Sequence, residues 1–208
     1  MKFPVNFISL EDELKPVSRY LKGRVLNAGC GERDISILLK SWGAYHIDNC
    51  DIQSSIPNAI ICELSAIPQP DQTYDSILCN AVLEHVEDPE ASMLEFNRLL
   101  KDQGYLVVSV PFLQPFHPTP MDFRRYTITG LEQLGKLTGF KLLTLNTVHS
   151  LAQTLGWIIW AYLEERNHKL GKIILWLPIY IASALIKRPS LNKNYTANSF
   201  QAVFFKDN

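Results

Sequence analysis

The chain turns on the nonapeptide Arg24–Glu32, RVLNAGCGE. Val25 and Leu26 begin a short apolar run of the kind that forms a buried strand. The run breaks at Asn27-Ala28 into Gly29-Cys30-Gly31, and a helix-compatible segment follows from Asp34. Strand, glycine turn and helix together make a loop that cradles phosphates or nucleosides, because glycine admits positive φ and lets a ligand approach bare backbone. A dinucleotide fingerprint needs a third glycine at the position of Asp34, so the pattern weakens an NAD or FAD assignment. Asp51 lies 20 residues after Gly31, at the end of the next predicted strand. A carboxylate there can accept both ribose hydroxyls of a nucleoside; Asp48, within the strand, is the competing candidate.

Around this loop the sequence alternates strand and helix signals. A leading helix is predicted over residues 7–21, capped by Ser9, with Pro16 expected to break it. Strands are expected at 24–28, 45–51, 59–63, 74–79, 105–110, 140–148 and 200–205, and helices at 34–42, 89–100 and 127–138, with a turn at Asp102-Gln103-Gly104. That alternation predicts an α/β fold with a mostly parallel sheet and helices on both faces. Ligands of such sheets bind outside the carboxyl ends of the strands. Residues 1–208 are expected to form one domain, with residues 151–188 an apolar helical insertion between strands six and seven. Its two apolar stretches, 151–163 and 173–186, are each shorter than the roughly 20 residues that span a bilayer.

The bulk numbers narrow the partners. With 208 residues, a net charge of -1 and a pI near 6.5, nothing suggests a nucleic-acid surface. The four cysteines, Cys30, Cys50, Cys62 and Cys79, form no CxxC pair, and no His cluster has metal-ligand spacing, so free thiols and no metal are expected. The first residues do not read as a signal peptide, and the cytoplasm is the expected location.

Four segments, VLNAGCGE, HIDNCDI, YDSILCNAVLEHVEDP and LLKDQGYLVVSVPF, occur in an order and at spacings that resemble the class I S-adenosylmethionine-dependent methyltransferases, nearest the group called methyltransferase type 11. The resemblance spans about residues 22–145 plus the last strand. It implies a Rossmann-like seven-stranded sheet in the order 3-2-1-4-5-7-6, with strand seven antiparallel, and S-adenosyl-L-methionine as cofactor. It further implies that the loop Asn27, Ala28, Gly29, Cys30 and Gly31 holds the cofactor, with both glycines against its methionine part. Asp51 would take the ribose hydroxyls, Ile52 the adenine face, Glu63 and Leu64 the adenine amino group, and Asn80 and Ala81 the methionine ammonium. Asn27 stands where that family usually has an acid, and Arg33 where many members have a third glycine.

Methyl transfer from a sulfonium mainly requires alignment of donor and acceptor, and a general base only when the acceptor carries a proton of high pKa. His85 and His117 are the candidates for that base. The loop after strand five carries Phe112, His117, Asp122, Arg125 and Tyr126 as candidate acceptor-binding residues; the alternative is a proline-stiffened loop in which Asp122 pairs with Arg125. The acceptor is expected to be a small molecule, and the apolar insertion favours a hydrophobic or lipid-linked one. That insertion is expected either to cap the pocket, to form a dimer interface, or to rest on a membrane surface, with Lys169, Lys172, Lys187, Arg188 and Lys193 flanking it. Two other functions stay open: a cofactor-binding module without catalysis, and a nucleotide-dependent oxidoreductase.

Overall fold

The computed structural model describes residues 2–118, 121–186 and 196–207. Seven strands hydrogen-bond in the order β3-β2-β1-β4-β5-β7-β6. They are β1 (Gly23–Ala28), β2 (Ala44–Asp51), β3 (Ile60–Ile61), β4 (Tyr74–Asn80), β5 (Leu100–Pro111), β6 (Phe140–Val148) and β7 (Ser199–Lys206). β1 to β5 run parallel, and β7 is antiparallel to both β5 and β6. Order and direction agree with the expectation.

Consecutive residues in the central strands feed opposite cores. Leu26, Cys79, Val108 and Phe204 join a cluster with Met93, Phe96 and Leu131, whereas Val25, Leu78, Val107 and Val203 join one with Leu14, Val17, Leu21 and Leu39. The period-2 alternation of side chains thus buries both sheet faces, which is why these strands read as continuous apolar runs. One face is covered by α3 (Pro89–Leu99) and α4 (Ile128–Leu137), the other by α1 (Leu10–Leu14), the 3-10 segment Lys15–Tyr20 and α2 (Ser36–Ser41).

Several boundaries moved for local reasons. The Ser9 hydroxyl caps α1 by accepting from the Asp12 amide at 3.1 Å, and the chain tightens to 3-10 geometry at Pro16, as the proline predicts. α2 starts later than expected because Asp34 turns back to accept from the Ser36 amide at 2.8 Å. The predicted turn at Asp102–Gly104 lies inside a longer β5. Leu100 pairs with Tyr74 and Tyr105 with Ser76, so Lys101–Gly104 bulge over the single residue Asp75.

Between β6 and β7 the chain forms a helical hairpin, α5 (Leu151–Glu165) and α6 (Lys169–Leu185). It is fastened to the first residues of the chain. Trp176 Nε1 donates to the Lys2 carbonyl, Gln153 Nε2 to the Asn6 carbonyl, and the Asn6 amide to Ser183 Oγ. Val5, Trp160 and Ile179 form a small core there with Phe7 and Trp157. Among the described residues no helix is long and apolar enough to cross a membrane. Lys187, Arg188 and Lys193 lie outside the described residues.

Candidate active site

The carboxyl ends of β1, β2, β4 and β5 carry the site. The last carbonyl of the β1–β2 pairing region, Cys50 O, accepts from both Gly29 N (2.8 Å) and Cys30 N (3.0 Å) and draws the loop over the sheet. Gly29 has φ +73°, and a Cβ there would meet Val82 at 2.3 Å. Gly31 has φ +55° and faces open space, with no atom within 4 Å of where its Cβ would stand. Its amide donates to Asp51 Oδ2 at 2.8 Å, and Gln53 N donates to Asp51 Oδ1 at 3.1 Å. Asp51 therefore shapes the loop and still keeps lone pairs on each oxygen. Ile52, beside it, is half exposed.

Other candidates from the sequence sit differently. Asn27 is buried and its amide donates to Asn49 Oδ1 at 2.8 Å, so its side chain locks β1 to β2. Ala28, Cys30 and Leu64 are buried, Leu64 and Ala28 within the main core, whereas Glu63 is exposed. Ala81 adopts φ +56°, a left-handed conformation uncommon for alanine, and its amide donates to Ser109 O at 2.9 Å.

Asn80 and Ala81 open onto a cavity of about 310 Å³. Phe7, Ile8, Leu10, Val110 and Trp157 supply its apolar wall, and Arg33 and Gln114 also line it. Four buried polar atoms in that wall lack a hydrogen-bond partner: Asn80 Oδ1, Ser109 Oγ, His149 Nδ1 and Asn198 Nδ2. Unpaired buried polar atoms are costly, and each of these four belongs to a residue that lines the cavity. Burial pushes the Glu13 carboxyl in the same wall up to about 7 and the His149 imidazole down to about 4. Glu13, Ser109, His149 and Asn198 carry no local signature of a site in the sequence, and tertiary folding alone gathers them, whereas Trp157 belongs to the apolar insertion.

The histidines named from the sequence do not line this cavity. His85 and His117 meet edge to face, 5.3 Å between ring centroids, and His117 packs 5.9 Å from Trp157. Both stand beside Glu84, whose buried side chain is pushed up to about 7 by desolvation.

In the loop after β5, the polar side chains named for acceptor binding pair with one another and with the loop backbone. Arg125 donates to the Gln114, Pro115 and Arg124 carbonyls and makes a forked pair with Asp122. Asp122 also accepts from the His117 amide at 2.8 Å, and the Arg125 guanidinium holds its carboxyl down at about 2. The Tyr126 hydroxyl is buried on the Leu83 carbonyl at 3.0 Å, and Phe112 packs on Phe200. Asp122, Arg125 and Tyr126 thus brace the loop, because their polar groups are consumed inside it.

This sheet order, with one antiparallel strand, a glycine loop after β1 and an acid closing β2, defines the class I methyltransferase architecture. The chain belongs to the methyltransferase domain family, whose model matches residues 7–168. It is 34% identical over 90 residues to an uncharacterised protein of Methanocaldococcus jannaschii, a match that covers 41% of this chain and only 40% of that protein. Many solved structures share the fold, among them the following two. The [4+2]-cyclase SpnF superposes with TM-score 0.63 at 18% identity, covering 95% of this chain and 80% of that one. A 1,6-didemethyltoxoflavin-N1-methyltransferase of Burkholderia thailandensis, solved with 1,6-didemethyltoxoflavin and S-adenosylhomocysteine, superposes with TM-score 0.60 at 15% identity, covering 96% and 80%.

Proposed function

We propose that this methyltransferase acts on a small acceptor with an apolar body and a polar reacting end, held in the cavity between β4, β5, α5 and the first residues of the chain. The observation that carries this reading is the cavity wall itself, apolar over Phe7, Leu10 and Trp157 yet carrying four unpaired polar atoms. S-adenosylmethionine, when bound, would supply a sulfonium-activated methyl group, open to in-line attack by an acceptor lone pair with S-adenosylhomocysteine as the leaving group.

The residues present fit such a donor. Gly31 offers an unobstructed backbone face, Asp51 keeps lone pairs for the ribose hydroxyls, and Ile52 is exposed beside it for the adenine. Asn80 Oδ1 is a buried acceptor without a donor, matched to an ammonium group. Glu63 and Ala81 take the remaining contacts of the resemblance. Phe7, Ile8 and Trp157 keep water from the reacting end, and Glu13, with its carboxyl poised near neutrality, is placed to accept a proton from an acceptor that carries one.

Ligand-dependent thermal stability tests the donor. Saturating S-adenosylhomocysteine should raise Tm by mass action and NADH should not. No shift with S-adenosylhomocysteine at millimolar concentration would remove this reading. A screen of phenols, amines and lipid-like hydroxyl compounds for S-adenosylhomocysteine release then identifies the acceptor class. Binding without release from any of them would favour a cofactor-binding module, for which the uncharged Asn27–Asn49 pair and the shared fold of a cyclase give grounds.

A further inference from the structure

We propose that Glu84, His85 and His117 form a binding site for a divalent transition-metal ion of zinc-like ligand preference. The spacing of these residues announces no such site, since Glu84-His85 and His117 come from two loops, one after β4 and one after β5. The fold brings them together. One ligand atom from each lies within 4.8 Å of the other two, and His85 Nε2 stands 3.8 Å from Glu84 Oε1.

Hydrogen bonding fixes both imidazoles in the metal-ready form. His85 Nδ1 contacts the Met121 carbonyl, which only accepts, so Nδ1 carries the proton and the Nε2 lone pair is free. His117 Nδ1 lies 2.9 Å from the Pro115 carbonyl, which sets the same tautomer. The Arg125 Nη2 group, 3.3 Å from that Nδ1, already spends its protons on Pro115 O and Asp122 Oδ2. A ligating histidine usually donates its other N–H to a carbonyl or carboxylate in this manner, which orients the ring and raises its basicity.

Glu84 supplies the anionic third ligand. Its side chain is 1% exposed, and Oε2 has no hydrogen-bond partner. A buried carboxylate oxygen without a donor is a heavy electrostatic cost that a bound cation removes. Two imidazole nitrogens and one carboxylate oxygen match the three-ligand sets that hold zinc while leaving coordination positions open. Bonds of about 2.0–2.2 Å would draw the three atoms roughly 1 Å closer together. The imidazoles are the partly exposed members, His85 at 16% and His117 at 29%, so an ion reaches the buried carboxylate past them. The Arg125 charge nearby is neutralised by its fork to Asp122. An ion here would tie the loop after β5 to the turn after β4, directly behind the Trp157 wall of the cavity.

The test is uptake of zinc(II) by tag-free, chelator-stripped protein with neither donor nor acceptor added, so its outcome is independent of the proposed methyl transfer. Calorimetry should show one ion per chain, and cobalt(II) in its place should give the visible absorption of a four- or five-coordinate site. His117→Ala should weaken uptake by about 100-fold or more, beyond the roughly 10–100-fold that follows loss of a hydrogen bond to a ligand. Glu84→Gln should do the same, with circular dichroism confirming the fold. Cys62→Ser, a thiol outside the cluster, should leave uptake unchanged. No uptake below 0.1 mM zinc(II), a rough ceiling for a specific site, or uptake indifferent to His117→Ala, overturns the proposal.

Discussion

Gly29 and Gly31 stand two residues apart and resist substitution for different reasons. At Gly29 a side chain would collide with Val82 as well as demand a left-handed backbone, so Gly29→Ala should destabilise the fold by about 3 kcal/mol, read from urea denaturation. At Gly31 there is room, and Gly31→Ala should cost about 1 kcal/mol of backbone strain while weakening S-adenosylhomocysteine binding, because the new methyl points into the space the donor would fill. Equal stability losses at the two positions would contradict the packing described. Glu13 gives a pH signature. Its carboxyl titrates near 4.5 when unfolded and at about 7 when folded, so the folded state keeps a proton that the unfolded chain releases. The contribution of Glu13 to stability therefore declines as pH rises from 4.5 to 7. Glu13→Gln removes that decline, and the Tm of the variant minus that of the parent should grow between pH 5 and pH 8. The loop residues of the site were legible because glycines at fixed spacing and an acid at a strand end are local patterns. Glu13, Ser109 and Asn198 were not, since each looks like ordinary helix or strand until the sheet assembles.

At the scale of elements, the segment between β5 and α4 has become a braced strap. Its proline content and its mixed charges leave both a substrate grip and an Asp122–Arg125 brace open, and in the fold Asp122 and Arg125 answer each other. Arg125→Ala leaves the buried Asp122 carboxylate without its cation, held only by the His117 amide. It should cost about 3 kcal/mol of stability, the lower end of the range for breaking a buried pair, and should loosen His117 before it affects donor binding. Full stability in chemical denaturation, with turnover alone abolished, would return Arg125 to the acceptor. Strands were the most legible elements. β6 falls where its pattern put it, and β1, β2, β4 and β7 differ from expectation by a residue at one end or both. The long β5 was hidden because Asp102-Gln103-Gly104 has the composition of a turn, and only pairing with β4 makes it a bulge. β3 is only two residues long, Ile60 and Ile61, paired with Cys50 and Asp51 at the end of β2.

Across the whole molecule, the α5–α6 hairpin is the least reconciled with water. Ile158, Ile159, Ile173, Ile174, Leu177 and Ile181 are each 40% exposed or more, far beyond scattered surface apolar residues. A face of that kind seeks a cover, and the double substitution Ile173→Glu with Leu177→Glu should abolish it. The measurement is flotation with anionic vesicles at low salt, run beside sedimentation velocity without lipid. The parent should either float or dimerise and the variant do neither; a parent that stays monomeric and free of vesicles would show that the face needs no partner.

The strand order also dictates how the molecule comes into being. β6 meets the sheet only through β7, and β7 follows the hairpin in the chain. On the ribosome, β1 to β5 and their helices can assemble first, and the greasy hairpin emerges next. Until β7 arrives, the growing polypeptide presents an unpaired β5 margin and the apolar hairpin together, two features that invite aggregation. Residues 199–206 act as the closing stitch of biogenesis, and a stalled or truncated chain lacking them is a natural client for chaperones.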